Sequence, residues 1–256
     1  MNRLNDLTAE VYPREPLLLE DSLISVADVL LGSVDEGSPY LLVAHSEEDR
    51  TKVRVDEPHG ISPAVQRVSP PRRGLGRIVV VLMPLRASFY VSQARRSNPL
   101  ELNRIGIEVV SEEWSGSAEP HVWLEQLVRN LVAAQDTRYG FACQRGEFYA
   151  SNILSDDSGT RAIGRQFNSC LPGLYWLNYF GSECVAAMQP AAFHLLGAEL
   201  STEVGEGFLV RLAPDPSQWQ QDAYVATRSR CVRSLGSGYF FSRDAPQAET
   251  VPIPFD

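Results

Sequence analysis

The sequence predicts an α+β fold, with a mixed, largely antiparallel sheet and helices packed on one side of it. A strand–helix–strand pattern occurs three times along the 256 residues, and further strand patterns separate its copies. A doubly wound parallel sheet would alternate strands with helices throughout, whereas two packed ferredoxin-like halves would contain all of these elements. The length fits a single domain of residues 1–256, or two packed halves of about residues 1–104 and 105–256.

The first pattern occupies the N-terminal part of the chain. Alternation over residues 7–12 predicts a strand, and apolar residues at helical spacing predict a helix over residues 21–32. Residues 40–44 complete the pattern with a second strand. Two more strands are expected at residues 77–83 and 105–110, and the first of these is apolar on both faces, which favours a central place in its sheet.

The second pattern begins with the clearest helix of the chain, which has Pro120 at its first position. Its apolar residues recur at helical spacing and form one stripe: Leu124, Leu127, Val128, Leu131 and Val132. A strand is predicted at residues 139–143, followed by a turn at Arg145-Gly146 and a second hairpin strand at residues 147–151. Residues 155–159 are predicted to form a loop, because Ser, Asp and Gly dominate them.

An aromatic segment at residues 171–181 follows this pattern. Four of the six residues from Tyr175 to Phe180 are aromatic, and each large ring can bury about 150–250 Å². We therefore expect Trp176 and Phe180 to lie in the hydrophobic core. A short helix is predicted directly after the segment, with Ser182 as its N-cap.

The third pattern closes the chain. It consists of a strand at residues 207–212, a helix that Asp222 opens and Gly236 ends, and a strand at residues 239–241. Three arginines lie on this last helix: Arg228, Arg230 and Arg233. On an acidic chain, such a basic group is expected to pair with local carboxylates and not to follow a nucleic acid.

The charge of the chain indicates the kind of partner. The net charge is −9, which disfavours nucleic acid and anionic membrane surfaces and favours a basic protein. A bilayer crossing needs about 18 or more consecutive apolar residues, and the sequence has no such run. Residues 1–10 lack the apolar stretch of a secretory signal, so the expected compartment is the cytoplasm.

The search for catalytic chemistry finds no nucleophile elbow, phosphate-binding loop or zinc-protease motif. The four cysteines and four histidines are scattered, so we expect no metal and no cofactor. Adjacent acids at Asp156-Asp157 are more typical of a solvated turn than of a metal site. Two residues support the alternative of an enzyme of unrecognised type. Cys170 could act as a nucleophile if its pKa were lowered, and His121 could act as an acid or base.

A composite of motifs resembles one group of bacterial proteins. An amphipathic helix precedes Tyr139-Gly140-Phe141-Ala142, the segment Leu171-Pro172-Gly173-Leu174-Tyr175-Trp176-Leu177-Asn178-Tyr179-Phe180-Gly181 follows, and Gly205 and Gly207 lead into a strand. This layout, over about residues 105–241, is similar to the type VI immunity family, which is encoded beside polymorphic and type VI secreted toxins. The resemblance implies a non-catalytic protein that binds and neutralises a cognate toxin. A basic toxin domain would suit the acidic charge.

Two acidic segments are the predicted partner-binding residues: Glu112, Glu113 and Trp114, and Asp156 and Asp157. Both segments are expected at loops or strand ends, where binding residues are often found. A tryptophan beside carboxylates suits an interface in which the ring is buried and the charges steer the approach. A solvated rim with a half-buried Trp114 is the alternative for this segment. A non-catalytic accessory protein of a secretion apparatus is a third hypothesis for the function.

Overall fold

The computed structural model describes residues 3–14, 29, 40–45, 77–83, 87–92, 102–114, 118–156, 159–164, 167, 169–244 and 249–255. The chain divides into two compact units. The N-terminal unit consists of Asp6–Thr137, and the C-terminal unit consists of Arg138–Asp256 together with Met1–Asn5. Helices and antiparallel strands occur in both units, which confirms the predicted α+β class.

The N-terminal unit contains the strands β1 (Leu7–Pro13), β2 (Tyr40–His45), β3 (Arg77–Met83), β4 (Ala87–Ser92) and β5 (Arg104–Val109), and the helix α1 (Pro120–Ala134). Its strands lie in the order β2-β3-β4-β5-β1, and each neighbouring pair is antiparallel. The strands predicted at residues 7–12, 40–44, 77–83 and 105–110 are confirmed. The helix predicted at residues 21–32 lies outside the described residues, apart from the helical Val29.

Helix α1 packs against β1 through the stripe that the sequence predicted. Leu124, Leu127, Val128 and Leu131 are fully buried, and Trp123 extends the buried face. On β1, Leu7, Ala9 and Val11 are also buried and lie on one face of the strand, because successive side chains point to opposite faces. Glu10 and Tyr12 on the other face are buried as well. The apolar faces of α1 and β1 therefore form part of the core of this unit.

Gly106 of β5 lies directly beneath the ring of Tyr90 on β4. A Cβ atom at Gly106 would lie 1.9 Å from Cζ of Tyr90. Arg104 covers the same ring at 5.0 Å, and the Tyr90 hydroxyl donates a hydrogen bond to Oε1 of the buried Glu10 at 3.3 Å. The missing side chain at Gly106 therefore lets this ring lie flat on the sheet.

We expect Gly106→Ala to lower the free energy of unfolding by about 1–3 kcal/mol, because the new methyl group displaces the Tyr90 ring. Urea denaturation measures the loss. Tyr90→Ala removes the obstructing ring, so Gly106→Ala should cost much less in that background, a coupling that a double-mutant cycle reports. Equal costs in both backgrounds would contradict the packing of Tyr90 on Gly106.

The strands of the C-terminal unit are β6 (Thr137–Gln144), β7 (Ile153–Asp156), β8 (Gly159–Ala162), β9 (Leu177–Phe180), β10 (Ser201–Val204) and β11 (Gly207–Arg211). The first residue of β6, Thr137, is assigned to the N-terminal unit. The helices are α2 (Arg145–Asn152), α3 (Ser182–Met188), α4 (Pro190–His194) and α5 (Asp222–Leu235). Four strands follow the order β6-β9-β11-β10 with antiparallel neighbours, and β7 and β8 form a separate hairpin. In both units, the order of the described strands differs from the interleaved strand order of a ferredoxin-like fold.

Three local predictions in this unit were wrong. Arg145-Gly146 is the start of helix α2 and not a turn, and residues 147–151 continue that helix. Of the loop predicted at residues 155–159, Ser155, Asp156 and Gly159 belong instead to the paired ends of β7 and β8, and residues 157–158 lie outside the described residues. Residues 239–241 form no strand: a 3-10 turn covers Ser237–Tyr239, and Phe240 makes a single bridge to Leu171.

The aromatic segment forms the core of the C-terminal unit, as predicted. Trp176 and Phe180 are both 0% exposed. The indole Nε1 of Trp176 donates a hydrogen bond to the carbonyl oxygen of Ala213 at 2.9 Å. The ring of Phe180 contacts Phe193 and Tyr139, with centroids 5.2 and 5.8 Å away. The segment therefore joins helix α4 to the sheet.

Candidate functional site

The first predicted acidic segment lies in the N-terminal unit, in and after a 3-10 turn at Ser111–Glu113. Glu112 is exposed, whereas Trp114 is half-buried. The Trp114 indole donates to the carbonyl oxygen of Ala118 at 2.7 Å, and its ring lies 4.9 Å from that of the buried Trp123. Glu113 is the last residue of this turn. Trp114 thus packs on α1 with one part of its ring and leaves the other part to solvent.

The second predicted segment lies in the C-terminal unit. Asp156 is the last residue of β7, and Asp157 lies outside the described residues. The two segments therefore belong to different units. The role of all five acidic and aromatic residues in binding a partner stays a prediction.

The residues that supported the enzyme alternative also belong to different units. Cys170 is buried, and this burial raises the pKa of its thiol, which leaves it protonated and a weak nucleophile. His121 is half-buried in the first turn of α1. Within the described part of the chain, no group of three His, Cys, Asp or Glu residues could hold a metal ion. No described helix has the length and the apolar character that a bilayer crossing requires.

A buried carboxyl group in the C-terminal unit was missed by the sequence analysis. Glu147 of α2 is 0% exposed and lies under the aromatic segment. Its Oε1 accepts a hydrogen bond from the Tyr224 hydroxyl at 2.5 Å, and its Oε2 accepts one from the backbone N–H of Trp176 at 3.4 Å. Burial raises the pKa of Glu147 to about 7, although these hydrogen bonds and the charge of Arg228 oppose the rise.

A second set of buried polar groups holds the aromatic segment in place. The amide of Asn152, at the end of α2, donates to the carbonyl oxygen of Pro172 at 2.8 Å and accepts a bond from the Tyr175 hydroxyl. Asn178 closes the turn that precedes β9, because its amide donates to the Tyr175 carbonyl at 2.7 Å and its oxygen accepts from the Tyr175 N–H at 3.0 Å. These side chains satisfy backbone groups that would otherwise be buried without partners.

An open cleft of about 720 Å³ lies in the same unit. Helix α5 lines it with Arg228, Ser229 and Arg233, and the segment after the helix adds Arg243. Neither Cys170 nor His121 is among the described residues that line this cleft. Two of the three arginines on α5 that were expected to pair locally, Arg228 and Arg233, therefore line a cavity.

A second exposed feature lies at β10, the outer described strand of the sheet in this unit. We define the acidic edge as Leu195, Glu199, Glu203 and Glu206. Leu195 is 82% exposed, and the three glutamates are exposed as well. The carboxylate of Glu203 on β10 lies 3.9 Å from Nε2 of His194 on α4, which places the strand beside the helix end that carries Leu195. The sequence does not single out Leu195, because it lies among other apolar residues.

The chain is an α+β protein, with antiparallel strands and helices in both of its units. No family model and no curated protein matches the sequence. Among solved structures, the chain is similar to the Pseudomonas aeruginosa T6SS protein PA0821, with a TM-score of 0.53 and 12% identity. The similarity covers 90% of this chain and 72% of that protein. At this identity, the similarity concerns the fold alone.

Proposed function

We propose that this chain is an immunity protein, which binds a cognate secreted bacterial toxin and neutralises it by protein–protein interaction. The observation that carries the proposal is the similarity of the fold to a T6SS protein over 90% of the chain. A protein of this kind needs a rigid scaffold and a complementary surface, and it needs no catalytic group. The dense aromatic core around Trp176 and Phe180 supplies such a scaffold.

The charge of the surface supports a basic toxin domain as the partner. The net charge is −9, and the acidic edge combines three exposed carboxylates with one exposed leucine. A single exposed leucine is common on protein surfaces. Here it follows a helix end whose His194 lies beside Glu203 of the outer strand, and exposed glutamates are near it in the chain. An apolar anchor with nearby steering charges is the composition expected of an interface for a basic partner. Of the candidate surfaces, the acidic edge and the segment at Glu112–Trp114 each contain an apolar anchor, whereas the predicted pair Asp156–Asp157 supplies charge alone.

The enzyme hypothesis has less physical support. Its candidate nucleophile, Cys170, has a raised pKa, and its candidate base, His121, belongs to the other unit. The accessory-protein hypothesis fits the same fold similarity and differs only in the partner. The partner therefore decides between the two non-catalytic functions.

Co-expression tests the proposal directly. The product of the gene next to this one is expressed from an inducible promoter in a bacterial host, with or without this chain. We expect expression of the neighbour alone to arrest growth, and co-expression to restore growth and to give a complex that purifies as one peak. Arrest that persists despite soluble expression of both proteins would overturn the immunity function, and a chain that instead purifies with the secretion apparatus would favour the accessory function.

Substitutions on the two candidate surfaces distinguish them. If the acidic edge is the interface, Leu195→Ser should weaken affinity by at least about 2 kcal/mol, the loss typical of a hot spot. Glu203→Lys with Glu206→Lys should mainly slow association, and more so at low salt. Val251→Ser is the matched control, because Val251 is an exposed apolar residue of the same unit at 45% exposure.

Variants of the segment at Glu112–Trp114 test the other candidate surface. If Glu112–Trp114 is the interface, Trp114→Ala should show the hot-spot loss and Glu112→Lys the slower association, while the variants of the acidic edge bind normally. Surface plasmon resonance with the neighbouring gene product measures both sets. Wild-type kinetics for every variant would exclude both surfaces.

A further inference from the structure

The cleft of the C-terminal unit has a lining that contrasts with the acidic chain around it. Three guanidinium groups line it, from Arg228, Arg233 and Arg243, against two carboxylates from Asp244 and Glu249. Among the ion pairs of the described residues, none includes Arg228 or Arg233. The charge of Arg228 also acts on the buried Glu147 and favours its ionised form, but neither Arg228 nor Arg233 has a described carboxylate within ion-pair distance. Both guanidinium groups can therefore bind an anion in the cavity.

Each arginine is placed by the fold. Arg243 is held at the rim because its Nη1 donates to the carbonyl oxygen of Ala150 at 2.7 Å. Arg228 is half-buried and approaches the backbone at Gly173, where a Cβ atom would lie 3.7 Å from its Nη2. Arg233 is exposed on the last turn of α5. The cleft is therefore lined by one half-buried arginine and two exposed arginines.

The remaining lining is of two kinds. Trp219, Phe240 and Phe241 supply aromatic walls, and five residues with hydroxyl groups also line the cleft: Ser151, Ser229, Ser237, Ser242 and Thr250. Pockets for small ligands have volumes of about 300–1,000 Å³ and combine apolar walls with a few polar groups that fix the orientation of the ligand. A cleft of about 720 Å³ falls in this range.

We propose that this cleft binds a small organic molecule that carries an oxyanion, a phosphate or a carboxylate, beside an aromatic or similarly flat apolar group. The guanidinium groups of Arg228 and Arg233 bind the oxyanion, because their planar, forked donors match its oxygens. The aromatic walls bind the flat group. This site goes beyond the proposed function and does not depend on it, because the acidic edge and the Glu112–Trp114 segment contribute nothing to the cleft.

Three probes test the ligand chemistry on the full chain by isothermal titration calorimetry. Phenyl phosphate and benzoate join an aromatic ring to each kind of oxyanion, and phenol carries the ring without the charge. We expect one of the two anions to bind with a single site, at least about tenfold more tightly than phenol. The anion that binds more tightly identifies the oxyanion. No saturable binding of either anion, or binding no tighter than that of phenol, would overturn the proposal.

Substitutions place the bound anion in the cleft. Arg233→Gln and Arg228→Gln should each weaken binding of the anion about tenfold or more, whereas Arg230→Gln should leave it unchanged. Arg230 is the matched control, because it is an exposed arginine of the same helix and does not line the cleft. If Arg228→Gln fails to fold, the exposed Arg233 still decides the result. Equal losses for Arg233→Gln and Arg230→Gln would show a nonspecific charge effect and overturn the site.

Discussion

Replacement of Trp176 by alanine is expected to lower the free energy of unfolding by about 3–5 kcal/mol, the cost of deleting a large buried aromatic side chain. The indole of Trp176 is 0% exposed, and its removal leaves the carbonyl oxygen of Ala213 without the donor that lies 2.9 Å away. The loss of apolar contacts and the unpaired carbonyl act in the same direction.

Chemical denaturation followed by circular dichroism measures this loss. Trp219→Ala is the matched control, because Trp219 belongs to the same unit but is only half-buried, so a smaller loss is expected. An unchanged midpoint for Trp176→Ala, or equal losses for both tryptophans, would contradict the central place of the aromatic segment in the core.

Glu147→Gln is expected to stabilise the protein at pH 8 and to have little effect at pH 4. In the folded protein, burial raises the pKa of Glu147 from 4.5 to about 7, so the folded state holds this proton more tightly than the unfolded state does. Stability from this group is therefore fully present below about pH 4.5 and is lost as the pH rises towards 7. One pKa unit corresponds to about 1.4 kcal/mol, so the loss is on the order of 3 kcal/mol.

Glutamine keeps the shape of the side chain and an oxygen that can accept from the Tyr224 hydroxyl, but it carries no charge at any of these pH values. The difference in unfolding free energy between Glu147→Gln and the wild type isolates this group from all others that titrate. We expect the difference to grow between pH 5 and pH 7 and then to level off. A wild type that gains stability relative to Glu147→Gln as the pH rises would contradict the buried, proton-retaining environment.

The sequence was sufficient for elements whose buried faces are apolar. Helix α1 was predicted with its stripe because Leu124, Leu127, Val128 and Leu131 recur at helical spacing and are buried. The aromatic segment was predicted as core because its rings must bury a large area. In both cases, the apolar character of the residues is enough to predict that they are buried.

Helix α2 could not be recognised in this way, because its buried residues are Gly146, Glu147 and Asn152. Glycine is typical of turns, but Gly146 is buried in the helix. A Cβ atom at this position would lie 3.2 Å from the carbonyl oxygen of Leu4, so the backbone there is closely packed. The β7–β8 hairpin was missed for a related reason: every residue of β8 is exposed, so no apolar alternation marks the strand.

The candidate surfaces illustrate the same limit. Acidic residues at Glu112 and Glu113 could be read from the sequence, but the packing of Trp114 on Trp123 depends on the position of α1. The high exposure of Leu195 could not be inferred, because an apolar residue between His194 and Leu196 is expected to be buried. The cleft arginines were visible as a basic group on α5, and only the fold shows that Arg228 and Arg233 line a cavity.

The rate of association between this chain and the product of the neighbouring gene, measured by surface plasmon resonance at low and at physiological salt, tests the central claim most directly. If the chain is an acidic protein that captures a basic toxin, the complex should have a dissociation constant in the nanomolar range, on the order of −12 kcal/mol. Its association rate should fall by about tenfold or more as salt rises, because the steering charges are screened. No measurable binding at either salt concentration would contradict the immunity function, and tight binding with a salt-independent rate would contradict the role of the acidic charge.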